Sequence, residues 1–320
     1  MTAEDPWPPT DPGRRRHLLA NLAHGYFVEG ASKVSLGKRS GLSRVQVAAL
    51  LQEAQETGVV RIEITVPLES ADADLARAAG LERLVTVGSP HWPADRDDLA
   101  RAVAREVTRL LRDDTVLGIS WSRMLQVAVG HLPPLPHNDV VQLAGALCTD
   151  GTPTEEPPHL LVGLACRAAW PLWAPLVVER AESLKESREV AGTLRRADAL
   201  EGAALAVGHW SPEGSTVWPR VGEDVARAAR DAGAVAEVSG HLLDEAGHEV
   251  DTPVAGMVVS AGVGQLRAAR HRIGVASGAE RAPAVLSAVR GGLVDHLVCD
   301  TALRDELGRL LHGGAPPREQ

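Results

Sequence analysis

Two stretches of the chain combine glycine, hydroxyl and basic residues in a pattern that suits anion binding. The first is Gly118-Ile119-Ser120-Trp121-Ser122-Arg123, where serine hydroxyls and backbone amides could hold a phosphate beside the arginine. The second is Gly278-Ala279-Glu280-Arg281, whose guanidinium could bind an anion through two hydrogen bonds. Each stretch alone is a weak signal, because a capped helix start also explains the first and a solvated arginine also explains the second.

Two further stretches, Gly208-His209-Trp210-Ser211 and Asp300-Thr301, also follow segments that are predicted to be strands. In an open α/β sheet, ligands bind at the carboxyl ends of the strands, where loops and helix starts present unpaired N–H groups. This rule selects all four stretches as candidate ligand-binding loops.

The sequence lacks the motifs of common catalytic and cofactor sites. It contains no G-x-S-x-G or H-E-x-x-H motif, no Walker-type phosphate loop, and no G-x-G-x-x-G opening a βαβ unit. The three cysteines are far apart, which indicates neither a zinc site nor a disulfide framework. His209, His241 and His248 lack metal-ligand spacing and are interpreted as surface or loop residues. We therefore predict no metal, no cofactor and no catalytic residue.

Positive charge is concentrated near the amino terminus. Residues 12–52 contain seven arginines and lysines against one glutamate, a net charge of +6, although the whole chain carries −9. A basic segment on an acidic body is typical of a protein that binds a polyanion with one end only.

The same segment has the pattern of a helix-turn-helix. A core-facing helix is predicted over 14–28 from the helical spacing of Leu18, Leu19, Leu22, Tyr26 and Phe27. A second helix is predicted over Lys33–Arg39, and Ser43 is a predicted N-cap for a third helix through Glu56. Alternating residues over Val59–Val66 predict a strand, which gives a winged helix-turn-helix domain over 13–66. A three-helix bundle with a trailing strand is the alternative. The predicted DNA contacts are Lys33, Lys38, Arg39, Ser43, Arg44 and Gln46.

Beyond a connector over 67–80, strands and helices alternate through 81–312, which predicts a mainly parallel sheet with helices on both faces. With 44% hydrophobic but only 3% aromatic residues, the core must consist of alanine, valine and leucine. No apolar run reaches the roughly 20 residues that cross a bilayer, so we expect a cytoplasmic protein without a membrane partner. The predicted elements include strands over Arg83–Val87, Thr115–Ser120, Asp139–Leu147, Pro175–Val178, Ala203–Val207, Met257–Ala261, Ile273–Ala276 and His296–Cys299, and helices over Asp98–Arg112, Arg123–Leu132, His159–Trp170 and Pro283–Arg290.

In this order, the chain from about residue 15 to 311 resembles the SorC family of sugar-binding transcriptional regulators. The first part of the resemblance is the succession Tyr26-Phe27-Val28-Glu29-Gly30, Gly41-Leu42-Ser43-Arg44 and Gly58-Val59-Val60-Arg61-Ile62. The second part is Gly118-Ile119-Ser120-Trp121, Val141-Gln142-Leu143 with Gly145, and Arg290-Gly291-Gly292-Leu293. Each tetrapeptide is unspecific, but the ordered set is specific.

The resemblance implies an effector domain related in fold to sugar-phosphate isomerases and deaminases, acting as a ligand sensor in a homodimer or homotetramer and without catalysis. The family's phosphate loop falls on Gly118–Met124, its basic anchor on Arg281, and its acidic position on Glu237, a candidate for sugar hydroxyls. Asp300 follows the last strand. Gln142, Gly145, Gly208 and His209 complete the predicted effector site.

Several positions depart from the family pattern. This chain has Ser122 and Met124 where glycine and threonine are common, Ala144 in place of asparagine, Ala236 in place of glycine and Arg281 in place of lysine. One alternative is therefore a DNA-binding regulator whose sensing pocket has decayed. Another is an isomerase or deaminase enzyme, for which Glu237 or Asp300 would have to serve as general base. The preferred interpretation is a regulator of a palindromic double-stranded DNA operator, with a phosphorylated sugar as effector.

Overall fold

The chain divides into an N-terminal unit, residues 1–65, and a C-terminal unit, residues 66–320. The computed structural model describes residue 9 and residues 11–60, 70–89, 92–146 and 160–312. The predicted strand over Val59–Val66 lies mostly outside these residues, as do Cys148 and the tail from 313 to 320.

Three helices form the N-terminal unit: α1 (Pro12–Ala23), α2 (Lys33–Ser40) and α3 (Arg44–Glu56). A π-helical turn, His24–Val28, continues α1. The leucines of α1 and the predicted inward stripe of α3, namely Val47, Leu50, Leu51 and Ala54, are buried together. The expectation that Phe27 faces the core is wrong, since it is 40% exposed. The wider π turn breaks the 3.6-residue period on which that expectation rested.

A tight turn joins α2 to α3. Gly41 ends α2 in the left-handed conformation, with φ of +66°, as glycine commonly does at a helix end. Gly37 lies so close to the next segment that a Cβ atom there would be 2.4 Å from the carbonyl oxygen of Leu42. Glycine at 37 therefore allows the turn at Leu42 and Ser43 to pack directly against α2.

The C-terminal unit is built on a sheet of ten described strands. Along the sheet the order is β2-β1-β10-β9-β6-β3-β4-β5, with β7 and β8 added beside β6. All neighbouring strands along the path β1-β10-β9-β6-β3-β4-β5 are parallel. The pairs β1–β2, β6–β7 and β7–β8 are antiparallel. The strands are β1 (Arg83–Ser89), β2 (Trp92–Pro93), β3 (Val116–Ile119), β4 (Leu135–Gln142), β5 (Cys166–Trp170), β6 (Leu200–His209), β7 (Ala236–Val238), β8 (His241–Leu243), β9 (His271–Ala276) and β10 (His296–Asp300).

Successive residues of the central strands enter two different cores. Ala203 and Leu205 of β6 lie in one apolar cluster, and Ala204 between them lies in the other. This alternation means that helices cover both faces of the sheet, as predicted. The helices of this unit are α4 (Ser70–Ala79), α5 (Arg96–Leu110), α6 (Arg123–Val129), α7 (Ala181–Lys185), α8 (Arg188–Leu194), α9 (Glu223–Asp231), α10 (Val263–Ala268), α11 (Ala282–Arg290) and α12 (Thr301–Leu311).

Four predicted segments differ from the structure. The predicted strands over Pro175–Val178 and Met257–Ala261 form only isolated β-bridges, such as the one between Val177 and Val258. The predicted helix over His159–Trp170 is wrong, because residues 166–170 form the edge strand β5, which pairs with β4. Its residues alternate between half-buried and exposed, a period-2 pattern that the alanine-rich sequence concealed. The predicted connector contains α4, whose Leu75 and Ala76 pack into the core with Leu81. The domain bounds taken from the sequence stay predictions.

Candidate DNA-binding and effector-binding sites

The start of α3 is fixed by a capping box. The Ser43 hydroxyl accepts a hydrogen bond from the Gln46 amide at 3.2 Å, and the Gln46 side-chain oxygen accepts one from the Ser43 amide at 2.8 Å. The cap orients the first turn of α3 but engages the side chain of Gln46. The predicted role of Gln46 at a base edge therefore competes with its role in the cap.

The lysines and arginines that are predicted to contact DNA differ in whether their charge is already paired within the protein. Arg44 and Lys38 are exposed, and no carboxylate among the described residues forms an ion pair with either of them. Arg39 lies 3.5 Å from a carboxylate oxygen of Glu29, and the Lys33 ammonium lies 5.3 Å from the ring centre of Tyr26. Arg44 and Lys38 are thus the most available cations of the predicted set.

Arg15 is one of the seven cations of the basic segment, but it acts inside the N-terminal unit. Its guanidinium makes two hydrogen bonds of 2.6 Å to Glu53, one to each carboxylate oxygen. This pairing lowers the pKa of Glu53. It ties α1 to α3 and removes one charge from the surface available to a polyanion.

All four predicted ligand-binding loops lie at one edge of the sheet. The strands β3, β6, β9 and β10 are consecutive neighbours and run parallel, so their carboxyl ends meet at the same edge. The residues that follow or end these strands are Ser120, His209, Gly278 and Asp300. We refer to this group of loops as the carboxyl edge.

Asp300 and Arg281 are held by the loop that follows β9. The two oxygens of Asp300 accept hydrogen bonds from the Leu303 amide at 2.8 Å and from the Gly278 amide at 2.9 Å. Arg281 donates to the carbonyl of Ser277 and lies against Glu280, both at 2.5 Å. Asp300 therefore caps α12 and fixes the loop that carries Arg281.

His209 is half-buried at the end of β6. One ring nitrogen, Nε2, lies 2.7 Å from the hydroxyl of Ser211, and the other, Nδ1, is buried without a hydrogen-bond partner among the described residues. Burial lowers the pKa of His209, and the positive charge of Arg281 lowers this pKa further. Both effects favour the neutral imidazole, and Arg281 is close enough to influence it.

Glu237 is buried beneath the carboxyl edge. Its oxygens accept hydrogen bonds from the Ser215 hydroxyl at 2.8 Å and the Gly240 amide at 3.2 Å. Desolvation raises the pKa of Glu237, although both hydrogen bonds oppose that effect. Within the described residues this carboxylate links the hairpin of β7 and β8 to the loop containing Ser215.

Ser239 is a residue that the sequence analysis missed. It lies with Gly240 in the two-residue turn between β7 and β8, at φ of +53°, and its hydroxyl donates to that of Ser120 at 2.7 Å. A Ser-Gly pair between two short apolar runs is a recognisable hairpin signal. The bond itself, across 119 residues of sequence, has no local signal.

Three predicted positions are explained by packing. A Cβ atom on Gly118 would lie 2.7 Å from the side chain of Leu143, and one on Gly145 would lie 2.5 Å from the backbone of Pro175. The Gln142 side chain is buried and donates to the carbonyl of Ala144 at 2.8 Å. These residues shape the strands below the edge, and Gly208 likewise lies in β6 opposite Glu237.

The residues of the loop after β3 differ in their burial and in their hydrogen bonds. Ser122 caps α6 by accepting from the Leu125 amide at 3.0 Å, while Arg123 is exposed and Met124 is half-buried. Trp121 is buried, and its indole N–H has no acceptor among the described residues. A buried donor without a partner is rare in folded proteins. Together with His209 it provides unused hydrogen-bonding capacity near this edge.

The description of His241 as a surface or loop residue is wrong. It begins β8 with a side chain only 12% exposed, and its ring nitrogens lie 2.9 Å from Glu249 and 2.8 Å from the carbonyl of Ala261. Its role is to join the β7–β8 hairpin to the segment before α10. His248, by contrast, is 80% exposed.

Comparison with known proteins assigns the family. Residues 68–307 match the family model described as "Putative sugar-binding domain". The transcriptional regulator YjhU of Escherichia coli strain K12 is 28% identical over 295 residues, covering 86% of this chain and 89% of that protein. The deoxyribonucleoside regulator of Bacillus subtilis strain 168 is 22% identical over 298 residues, covering 89% and 95%.

A solved structure extends the similarity in fold to nearly the full chain. The full-length sorbitol operon regulator SorC from Klebsiella pneumoniae superposes with a TM-score of 0.64 at 21% identity, covering 92% of this chain and 99% of that one. In the described residues no helix is both long and apolar enough to cross a membrane. With the family model covering most of the sequence, this chain belongs to the SorC family of sugar-binding transcriptional regulators.

Proposed function

We propose that α3 binds operator DNA and that a phosphorylated sugar, bound at the carboxyl edge, changes the affinity for that DNA. The observation that carries the DNA part is the exposure of Arg44 at the capped start of α3, beside the exposed Lys38 of α2. In a helix-turn-helix the first residues of the second helix contact base edges, and flanking cations contact phosphates. A dimer or tetramer would present pairs of such helices to a palindromic operator.

The effector part rests on the groups gathered at the carboxyl edge. Arg281 supplies a positive charge, and Trp121 and His209 each have a buried ring nitrogen without a partner in the described residues. These groups favour an anionic ligand that also accepts hydrogen bonds, and they argue against a pocket that has lost its ligand. Coupling between two such sites is typically about 1 to 3 kcal/mol.

The enzyme alternative needs a carboxylate free to move a proton. Glu237 already accepts from Ser215 and Gly240, and Asp300 accepts from Leu303 and Gly278. Both carboxylates hold backbone in place, which favours a sensor without turnover. The relatives that match this chain are likewise named as regulators. A cytoplasmic location stays a prediction from the sequence.

The test compares two arginines in equivalent local positions. Arg44 and Arg96 are each the first residue of a helix, directly after the N-cap residue of a capping box, and both are exposed. We expect Arg44→Ala to weaken binding to DNA from the regulator's own upstream region by about 5- to 150-fold, because a lost arginine–base contact costs about 1 to 3 kcal/mol. Arg96→Ala is the control and should bind as the wild type does.

Fluorescence anisotropy at several salt concentrations measures both affinity and the number of phosphates neutralised, since the affinity falls with salt by about 0.9 log units per phosphate for each tenfold increase. Equal affinity of Arg44→Ala and Arg96→Ala would show that α3 is not the DNA-binding helix.

A further inference from the structure

Three metal-binding side chains meet at the edge of the sheet opposite the carboxyl edge. Glu82 immediately precedes β1, His296 begins β10 and His271 begins β9. These strands are neighbours in the order β1-β10-β9 and run parallel, with Arg83 opposite His296 and His296 opposite Ile273. The fold thus brings together residues that are separated by up to 214 positions.

The distances within this group fit the approach of three ligands to one ion. One candidate ligand atom from each residue lies within 4.8 Å of the other two, and His296 Nε2 is 3.9 Å from a Glu82 oxygen. The two imidazole rings are nearly perpendicular, with centres 5.5 Å apart. Ligands at about 2.0 to 2.2 Å from a tetrahedral zinc ion are roughly 3.3 Å from each other. The group must therefore contract slightly, and the 65% exposed Glu82 side chain is free to move inward.

His296 is already oriented as a metal-binding histidine. Its Nδ1 lies 2.7 Å from Asp295 Oδ1, and because a carboxylate only accepts, Nδ1 donates to it. In the neutral imidazole the lone pair is then on Nε2, the nitrogen nearer to Glu82. Asp295 is itself fixed by the Arg272 amide at 2.7 Å and the Arg272 guanidinium at 2.6 Å. A histidine whose second nitrogen donates to a carboxylate is the usual arrangement around protein-bound zinc.

His271, the second histidine of the group, has a ring nitrogen without a hydrogen-bond partner among the described residues. That nitrogen is Nδ1, and it is buried. Buried polar atoms nearly always have a partner, and one that lacks it calls for an explanation such as an ion. An ion bound through this nitrogen would supply the missing partner.

We propose that Glu82, His271 and His296 bind one divalent cation of the zinc class, with water completing the coordination. Two imidazoles and a carboxylate suit zinc and its neighbours among the transition metals, whereas magnesium and calcium prefer oxygen ligands. The ion would tie together the amino ends of three adjacent strands. It would be separate from the proposed effector site, because the two lie at opposite edges of the sheet.

The test is a titration of the tag-free, chelator-treated full-length protein with Co²⁺, followed by visible absorption, and with Zn²⁺, followed by thermal unfolding. We expect saturable binding of one ion per chain and a higher Tm with Zn²⁺. Glu82→Gln and His271→Gln change side chains at the open side of the site and should weaken Co²⁺ binding by about 10-fold or more, since even indirect losses around a metal cost that much.

His248→Gln is the matched control, because this exposed histidine lies outside the group of three ligands. It should leave Co²⁺ affinity and the Zn²⁺-dependent rise in Tm unchanged. Absence of saturable binding in the wild type would overturn the proposal. So would equal Co²⁺ affinity in Glu82→Gln, His271→Gln and His248→Gln, provided that circular dichroism shows all three to be folded.

Discussion

The start of α3 and the carboxyl edge of the sheet are both rich in polar side chains, but they use them differently. At α3, Arg44 and Lys38 are exposed and have no ion pair among the described residues. At the carboxyl edge, Glu237 and Asp300 are already hydrogen-bonded to the protein. The first region leaves its cations accessible, which suits the large polyanion that we propose as its partner. The second is a set of loops held in shape by internal bonds, with only a few groups left over for a small ligand.

This difference has an energetic consequence. Exposed cations are hydrated in the free protein and surrounded by salt. Their attraction to a polyanion is therefore mostly long-range and sensitive to the salt concentration. Groups at the edge of a sheet are partly desolvated, so each hydrogen bond made or lost there counts for more. Substitutions in the two regions should therefore change different measurable quantities.

The largest effect is expected where the backbone of the helix-turn-helix leaves no room. In Gly37→Ala the new Cβ would lie 2.4 Å from the Leu42 carbonyl oxygen, so the turn between α2 and α3 must move away from α2. We expect about 3 kcal/mol of destabilisation of the N-terminal unit, the upper part of the usual range for overpacking. Hydrogen exchange measured by mass spectrometry should show faster exchange across residues 33–56 and unchanged exchange in the sheet.

Gly192→Ala is the control for this substitution, because a Cβ at 192 meets nothing within 4 Å. It should be neutral or slightly stabilising. If Gly37→Ala kept wild-type protection over α2 and α3, the rigid turn would not be what positions α3, and the contrast between the two regions would weaken.

A smaller effect is expected from the basic anchor of the carboxyl edge. Arg281→Ala removes the cation that we assign to the effector's phosphate, and a hydrogen bond to a charged group contributes about 1.5 to 3 kcal/mol. Calorimetry with the sugar phosphate that most raises Tm in a screen of pentose and hexose phosphates should show a roughly 10- to 150-fold loss of affinity. Arg281→Lys keeps the charge and should retain most of the binding. Wild-type affinity in Arg281→Ala would remove this residue from the site.

The sequence could predict those features that depend on local pattern. The three N-terminal helices, the Ser43 cap and the buried stripe of α3 follow from spacing within a few residues, and the structure has them. The parallel sheet follows from the alternation of strands and helices. The edge strand over 166–170 was missed because its alanines suit a helix and only its pairing with β4 makes it a strand.

Features that depend on distant contacts were beyond such reasoning. The sequence placed Asp300 correctly at a strand end, and the resemblance selected Glu237 and Gln142. Neither could show that these side chains hold backbone in place. The bond from Ser239 to Ser120 and the group of Glu82, His271 and His296 arise only when strands far apart in sequence become neighbours. Whether a polar residue near the carboxyl edge is available to a ligand is decided by such contacts and not by its type.

The smallest expected effect is the pH dependence of effector binding at His209. It shows whether the ligand lies beside His209 or elsewhere on the carboxyl edge. Burial and Arg281 hold the pKa of His209 below its usual 6.5 in the unliganded protein. A phosphate nearby would favour the charged imidazole and raise that pKa, so binding should take up a proton. Affinity should then increase, by up to about 10-fold, as the pH falls through the raised pKa of the complex.

Calorimetry of the same sugar phosphate between pH 5.5 and 8, in buffers with different ionisation enthalpies, measures both affinity and proton uptake. The phosphate itself titrates near pH 6, but it does so equally for the wild type and for His209→Gln. The difference between the two proteins therefore isolates the imidazole. If His209→Gln shows the same pH profile and the same proton uptake as the wild type, the phosphate does not lie beside His209, and the ligand must be assigned to another part of the carboxyl edge.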